Sequence, residues 1–173
     1  MADANVHRPP IHVPFFIRWP GPLVRGMLRI GLPLGPNVVL TVRGRKSGEP
    51  RPQPLALIEA GDLRYVIGTF GDVNWCRNLR ANPDARLTRG GVTEDVRALE
   101  LNHAHATQFF QSQLPAIEAQ MPVVSRLLAR FFIRMAAPDI RSDPAVAAAR
   151  RPVFKLVSDK RKPPASLRAV VKT

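Results

Sequence analysis

The segment "VVLTVRGRKSGEPRPQPLALIEAGDLRYVIG", Val38 to Gly68, sets two apolar runs around a turn that carries Arg43, Arg45, Lys46 and Arg51. Cations this close repel one another unless water or an anion compensates them. Gly44 and Gly48 let the backbone bend so that successive N–H groups line a concavity, and Ser47 adds a hydroxyl. A charge-assisted hydrogen bond from such a loop to a phosphate or carboxylate contributes roughly 1.5–3 kcal/mol, more than an exposed ion pair does. Residue types alone leave two readings open, an anion-binding loop and a hairpin charged for solubility. A Walker-type phosphate loop is excluded. Arg45 stands where that motif needs glycine before the lysine, and Pro50, Pro52 and Pro54 forbid the helix that should follow.

The second stretch that could do chemistry is "GTFGDVNWCRNLRANPDARL", Gly68 to Leu87. A strand ends in Gly68-Thr69-Phe70-Gly71 and runs into a helix bearing Asn74, Trp75 and Asn78. Glycines allow a flat ligand close to the backbone, and a helix start offers unpaired N–H groups. Trp75 and Leu79 would also pack that helix on the sheet. Cys76 sits near the helix start, where a thiol pKa can fall, yet nothing pairs it with a base. His103 and His105 have no third ligand nearby in sequence, so they read as surface residues and no metal site is expected. Glu94, Asp95 and Glu100 form no acid–base pair on spacing.

These residues must be positioned by short strands. Val38–Arg43, Gln53–Glu59 and Leu63–Ile67 read as strands bounded by turn signals. A helix over Val73–Ala81 should stop before Pro83, capped by Asp72 or Asn74. Ala85–Thr88 and Val92–Leu101 flank the hairpin signal "RGG". "HAHATQFFQSQL" and "MPVVSRLLARFFIRMA" read as helices, and "RPVFKLVSD" as a last strand. In the second helix Val123, Val124, Leu127, Leu128, Phe131, Phe132 and Met135 form an apolar face expected to meet the core, with Arg126, Arg130 and Arg134 as a basic stripe. The sum is an α+β fold, a mainly antiparallel sheet of about six strands with flanking helices. Residues 1–159 are expected to form one domain, with a loose arm over 1–12, an amphipathic helical segment over 13–34 and a basic tail over 160–173.

The chain has 173 residues, one cysteine and a formal net charge of +13. One cysteine excludes an internal disulfide framework. The charge predicts attraction to anions, whether polyanionic small molecules, nucleic acid or acidic lipid. Aromatic–basic interleaving of the RNA-recognition kind is missing, so no nucleic-acid partner is expected. No apolar run approaches the ~18 residues needed to span a bilayer, and a cytoplasmic protein is predicted. Arg18, Arg25 and Arg29 on the N-terminal segment would allow peripheral contact with an anionic membrane.

"GRKSGEPR" (Gly44–Arg51) followed by "WCRNLRANP" (Trp75–Pro83) resembles the deazaflavin-dependent nitroreductase and quinone-reductase family, and "RPVFKLV" is similar to its closing strand. The resemblance implies a split β-barrel that binds coenzyme F420, a phosphate- and oligoglutamate-bearing hydride carrier. FMN is the alternative cofactor, because split barrels commonly hold it. It further implies that Arg43, Gly44, Arg45, Lys46 and Ser47 surround the phosphate and tail. Gln53 and Pro54 would face the cofactor, Thr69, Phe70 and Gly71 would lie beside the ring, and Asn74, Trp75 and Asn78 would close the site. The implied reaction is hydride transfer to an electron-poor acceptor such as a quinone or activated alkene. A homodimer is one of the expected partner arrangements, alongside the small-molecule acceptor. The family's nitroreductase members use tyrosines near the C-terminus; here the only tyrosine is Tyr65, so no catalytic acid is assigned. A non-enzymatic basic protein on membrane or nucleic acid is the remaining alternative.

Overall fold

The computed structural model describes residues 38–158, so the N-terminal arm, the 13–34 segment and the basic tail lie outside the described residues. Strand β1 (Val38–Arg43) buries Val38, Leu40 and Val42 and turns the alternate residues outward, the period-2 pattern of a half-buried strand. It is followed by β2 (Pro50–Leu55), β3 (Ile58–Ala60), β4 (Leu63–Ile67), α1 (Asn74–Ala81), β5 (Asp84–Arg89) and β6 (Val92–Glu100). A helical region and β7 (Val153–Ser158) complete the chain. All pairings are antiparallel, in the order β2-β1-β5-β6-β7-β4-β3.

That order forces the sheet to curl. Strands β2 and β3 are its two edges, yet only Ala56 and Leu57 separate them. A flat sheet of seven strands would hold its edges roughly 29 Å apart, whereas the link from Leu55 to Ile58 spans at most ~10 Å. The edges must therefore meet, and the sheet is a split barrel. An ion pair from Arg89 of β5 to Glu59 of β3 at 2.8 Å joins strands that are not neighbours in the sheet, as closure requires. One strand expected over Gln53–Glu59 is thus two. The chain breaks where buried Leu57 turns inward and carries it from one edge to the other, which raises the strand number from about six to seven.

The barrel interior holds Leu40, Val42, Leu57, Val66, Trp75, Cys76, Leu79, Leu87, Val96, Phe154 and Leu156. A second core lies under the helices: α2 (His103–Gln108), a wide π-turn (Phe109–Gln113), α3 (Leu114–Gln120), α4 (Val123–Ala136), α5 (Asp139–Ser142) and α6 (Pro144–Arg150). The π-turn buries the adjacent Phe109 and Phe110, with Phe109 against Tyr65 at 4.9 Å between ring centroids. Pro115, which cannot donate to the preceding turn, follows after Leu114.

Three members of the α4 face expected to meet the core are exposed; the side chains of Val124, Leu128, Phe132 and Met135, the rest of that face, lie outside the described residues. Val123, Leu127 and Phe131 are 60%, 59% and 64% exposed, while Ile133 and Ala137 make the contact with the second core. Periodicity identifies an apolar stripe; it does not say which stripe meets protein.

Leu57→Ala should cost roughly 2–5 kcal/mol in urea denaturation, because it empties the barrel at the crossing point. Leu63→Ala, at the exposed start of β4, should cost far less.

Candidate functional site

The turn between β1 and β2 is closed on itself by Gly48 N–H donating to the Gly44 carbonyl and Gly44 N–H to the Glu49 carbonyl, both at 2.8 Å. Gly48 has φ +71°, a conformation that favours glycine. A Cβ on Gly44 would meet Ser47 Oγ at 2.9 Å and Arg51 Nε at 3.0 Å, so that position has little room for a side chain.

Helix α1 docks on this turn through asparagine. Buried Asn78 accepts at Oδ1 from the Arg45 backbone N–H at 3.2 Å and from Arg45 Nη1 at 3.0 Å. Asn74 Oδ1 accepts from both terminal nitrogens of Arg45 at 3.4 Å. Arg45, 33 residues from Asn78 in sequence, is thereby positioned by uncharged acceptors. It makes no ion pair among the described residues, and neither do Arg43 and Lys46. Arg51 differs, lying 3.6 Å from Glu49 and 3.5 Å from Ser47 Oγ. The turn thus keeps uncompensated positive charge on a fixed frame, and such a frame can hold an anion. Arg43 and Gly48 also border a cavity of about 290 Å³ that Asp84, Arg86 and Asp95 line as well.

The remaining expected site residues fall in three places. Gln53 is half-buried and Pro54 exposed on β2. Thr69 and Phe70 are half-buried in the loop after β4, next to buried Gly71. Trp75 is in the barrel core, 5.6 Å from Phe154, and with Leu79 anchors α1. So the structure brings Arg45, Asn74 and Asn78 together, while Trp75 supports them from beneath.

Neither expected cap caps α1. Val73 occupies the N-cap without a side-chain bond, Asn74 is engaged by Arg45, and Asp72 turns to Arg77 at 3.1 Å and Arg80 at 2.5 Å. Burial works to raise the Asp72 pKa, but hydrogen bonds from Arg80 and Arg77 outweigh it and hold the carboxyl below its usual 3.8. Arg80 reaches on to Glu100 at 2.6 Å, tying the loop and α1 to the end of β6. Burial, with the Asp72 charge adding to it, pushes the Cys76 thiol up to about 12, the reverse of the fall that a helix start can give. Cys76 is a protonated core residue.

Arg151 was not singled out by its sequence position just before "PVFKLV". It is buried at 2% exposure, pairs with Asp139, and donates to the Thr69 carbonyl. It is the positioning residue of the Gly68–Gly71 loop, and only its adjacency to the closing strand could have pointed to it. His103 contacts the Ala145 carbonyl at 3.3 Å, and the His105 N–H is capped by Asn102. Among the described residues no group of three or more His, Cys, Asp or Glu is placed to hold a metal.

Comparison with known proteins gives this arrangement a family. A solved F420-H2 dependent reductase (FDR-A) is 21% identical, with 70% of this chain and 94% of that one covered at a TM-score of 0.42. A domain-swapped dimer is 22% identical over 80% and 100% of the two chains, TM-score 0.43. An FAD-binding protein from Mesorhizobium loti is 16% identical over 76% and 87%, TM-score 0.44. The family model for F420H(2)-dependent quinone reductase matches residues 24–123.

Because the Asp72 pKa is depressed, its contribution is present above about pH 4 and is lost as pH falls through the lower folded-state value. Asp72→Asn should therefore lower the urea midpoint at pH 7, and the gap from wild type should shrink on acidification below pH 4. Cys76 should resist a disulfide-exchange reagent at pH 8 until the protein is denatured.

With both motifs inside the matched span and the turn and helix joined as described, the chain belongs to the F420H(2)-dependent quinone reductase family and is an F420-dependent oxidoreductase.

Proposed function

We propose that this protein carries hydride from reduced F420 to a quinone-type acceptor, and that the turn of Gly44 to Ser47 grips the cofactor's anionic end. The observation that carries the reading is Arg45, fixed by Asn74 and Asn78 through neutral oxygens, so that it is held without being neutralised. A carboxylate at either position would hold the guanidinium as well but would cancel the field that an anion needs. Arg43 and Lys46 add charge on either side, and Ser47 offers a hydroxyl to a phosphate oxygen. The residues present fit the group: cations without carboxylate partners among the described residues and a glycine-shaped turn suit a phosphate with an acidic tail.

Gln53 and Pro54 on β2 are assigned to face the cofactor, and Thr69, Phe70 and Gly71 on the Arg151-braced loop to lie beside its ring. Asn74, Trp75 and Asn78 close that side, Trp75 by supporting the helix from the core. F420 when bound supplies a two-electron hydride donor, which suits a quinone or activated alkene better than oxygen. The protein's part is to orient donor and acceptor. The quinone gains one hydride and one proton to become a hydroquinone. Asp72, ionised, and Cys76, buried with its pKa raised, are both unsuited to give that proton, so water is assigned as its source.

Titration with F420 followed by fluorescence quenching tests the grip. Lys46→Ala and Arg45→Ala should each weaken binding by roughly tenfold to a hundredfold, whereas Arg89→Ala, which breaks only the pair with Glu59, should change it little. Asn74→Asp is the sharper variant: it should retain Arg45 yet weaken binding by neutralising it. Unchanged affinity in Asn74→Asp and Lys46→Ala would reduce the turn to ordinary surface. Turnover of a soluble quinone analogue with reduced F420 tests the acceptor, and reduction of an activated alkene alone would exclude the quinone.

A further inference from the structure

We propose that helix α4, Val123–Ala136, is the surface on which this protein lies against an anionic lipid bilayer. Val123, Leu127 and Phe131 recur every fourth residue, which puts them on one stripe, and all three are more than half exposed. Single exposed apolar residues are ordinary on a soluble surface; three large ones in line are a patch that asks for a partner. Arg126, Arg130 and Arg134 follow them at three-residue spacing and form the adjacent stripe. The helix contains no acidic residue, and none of the three arginines has an ion pair among the described residues.

Charge selects the occupant. A second copy would bring the same arginine stripe against this one, and the segment over 13–34 carries Arg18, Arg25 and Arg29 of its own, so both meet like charge. A nucleic acid would satisfy the arginines and leave Leu127 and Phe131 in water. An anionic bilayer satisfies both stripes at once: the apolar side chains enter the acyl boundary while the arginine stems lie along it with their heads among the phosphates. The helix has 14 residues, about 21 Å of rise, too short to cross a hydrocarbon core of about 30 Å. No helix among the described residues is long and apolar enough to cross a membrane. Helix α4 lies on the surface. In giving the quinone a source the inference rests on the acceptor reading above, since a lipid-soluble quinone is held in the same bilayer.

Flotation of the full chain with phosphatidylcholine vesicles, with and without phosphatidylglycerol, tests it. Wild type should float with the anionic vesicles and be released by salt. The double variant Leu127→Glu/Phe131→Glu should lose at least tenfold in partitioning, about as much as Arg130→Gln/Arg134→Gln. Leu99→Glu, at an exposed apolar site on β6, should float like wild type. Unchanged F420 quenching in all these variants certifies the fold and separates this proposal from the cofactor reading. Flotation of the Leu127→Glu/Phe131→Glu variant at wild-type level would overturn the proposal. So would failure of wild type to float, binding of a DNA duplex in place of vesicles, or conversion of a dimer to a monomer by the double variant with no lipid binding in either protein.

Discussion

The site depends on a guanidinium held by amides. Arg45 belongs to a turn that like-charge repulsion would spread, and Asn78 ties both its backbone and its side chain to helix α1. An amide oxygen accepts a hydrogen bond without contributing a full charge, so it orders the arginine and leaves its field intact. A buried acceptor also needs its donors: Asn78 is 4% exposed, and without Arg45 its Oδ1 would lose the two N–H groups that donate to it. Turn and helix therefore require one another. Position and potential come from the same contact.

That contact is possible only because the helix is itself held. Trp75 and Leu79 seat α1 on the barrel, Arg80 links Asp72 to Glu100, and Arg151 joins Asp139 to the carbonyl of Thr69. These ties converge on the loop from Gly68 to Val73, the segment between the last barrel strand before the helix and the helix itself. Arg151 is buried and paired with Asp139, so removing Asp139 would strand the guanidinium's charge in the interior.

Much of this was legible in the sequence, for reasons that differ by element. Strands β1, β4, β5, β6 and β7 announce themselves by alternation and turn residues, and local rules suffice. The break at Ala56-Leu57 could not be read, because no turn signal interrupts "QPLALIE"; what separates the halves is which edge of the sheet each joins, a long-range property. The motifs placed Arg45 and Asn78 in one site, but not the bond between them, which depends on side-chain geometry across 33 residues. Asp72 was legible as a helix-start carboxylate and not as a partner of Arg77 and Arg80, because the capping rule competes with two nearby cations and loses. In α4 the period gave the stripe and could not give its neighbour.

The surplus positive charge has a distribution that follows from pairing. Glu49, Glu59, Asp72, Asp84, Glu94, Asp95, Glu118 and Asp139 each sit against an arginine, and Glu100 shares Arg80. Carboxylates spent in this way compensate the barrel and the loop ties. The cations left without such partners among the described residues gather mainly in two places, Arg43, Arg45 and Lys46 at the first turn and Arg126, Arg130 and Arg134 along α4. A net charge of +13 spread evenly would steer every anion weakly. These six cations on one turn and one helix instead give two separate fields, one in a glycine-shaped turn and one beside an apolar stripe, and the chemistry of each neighbour decides which kind of anion it suits.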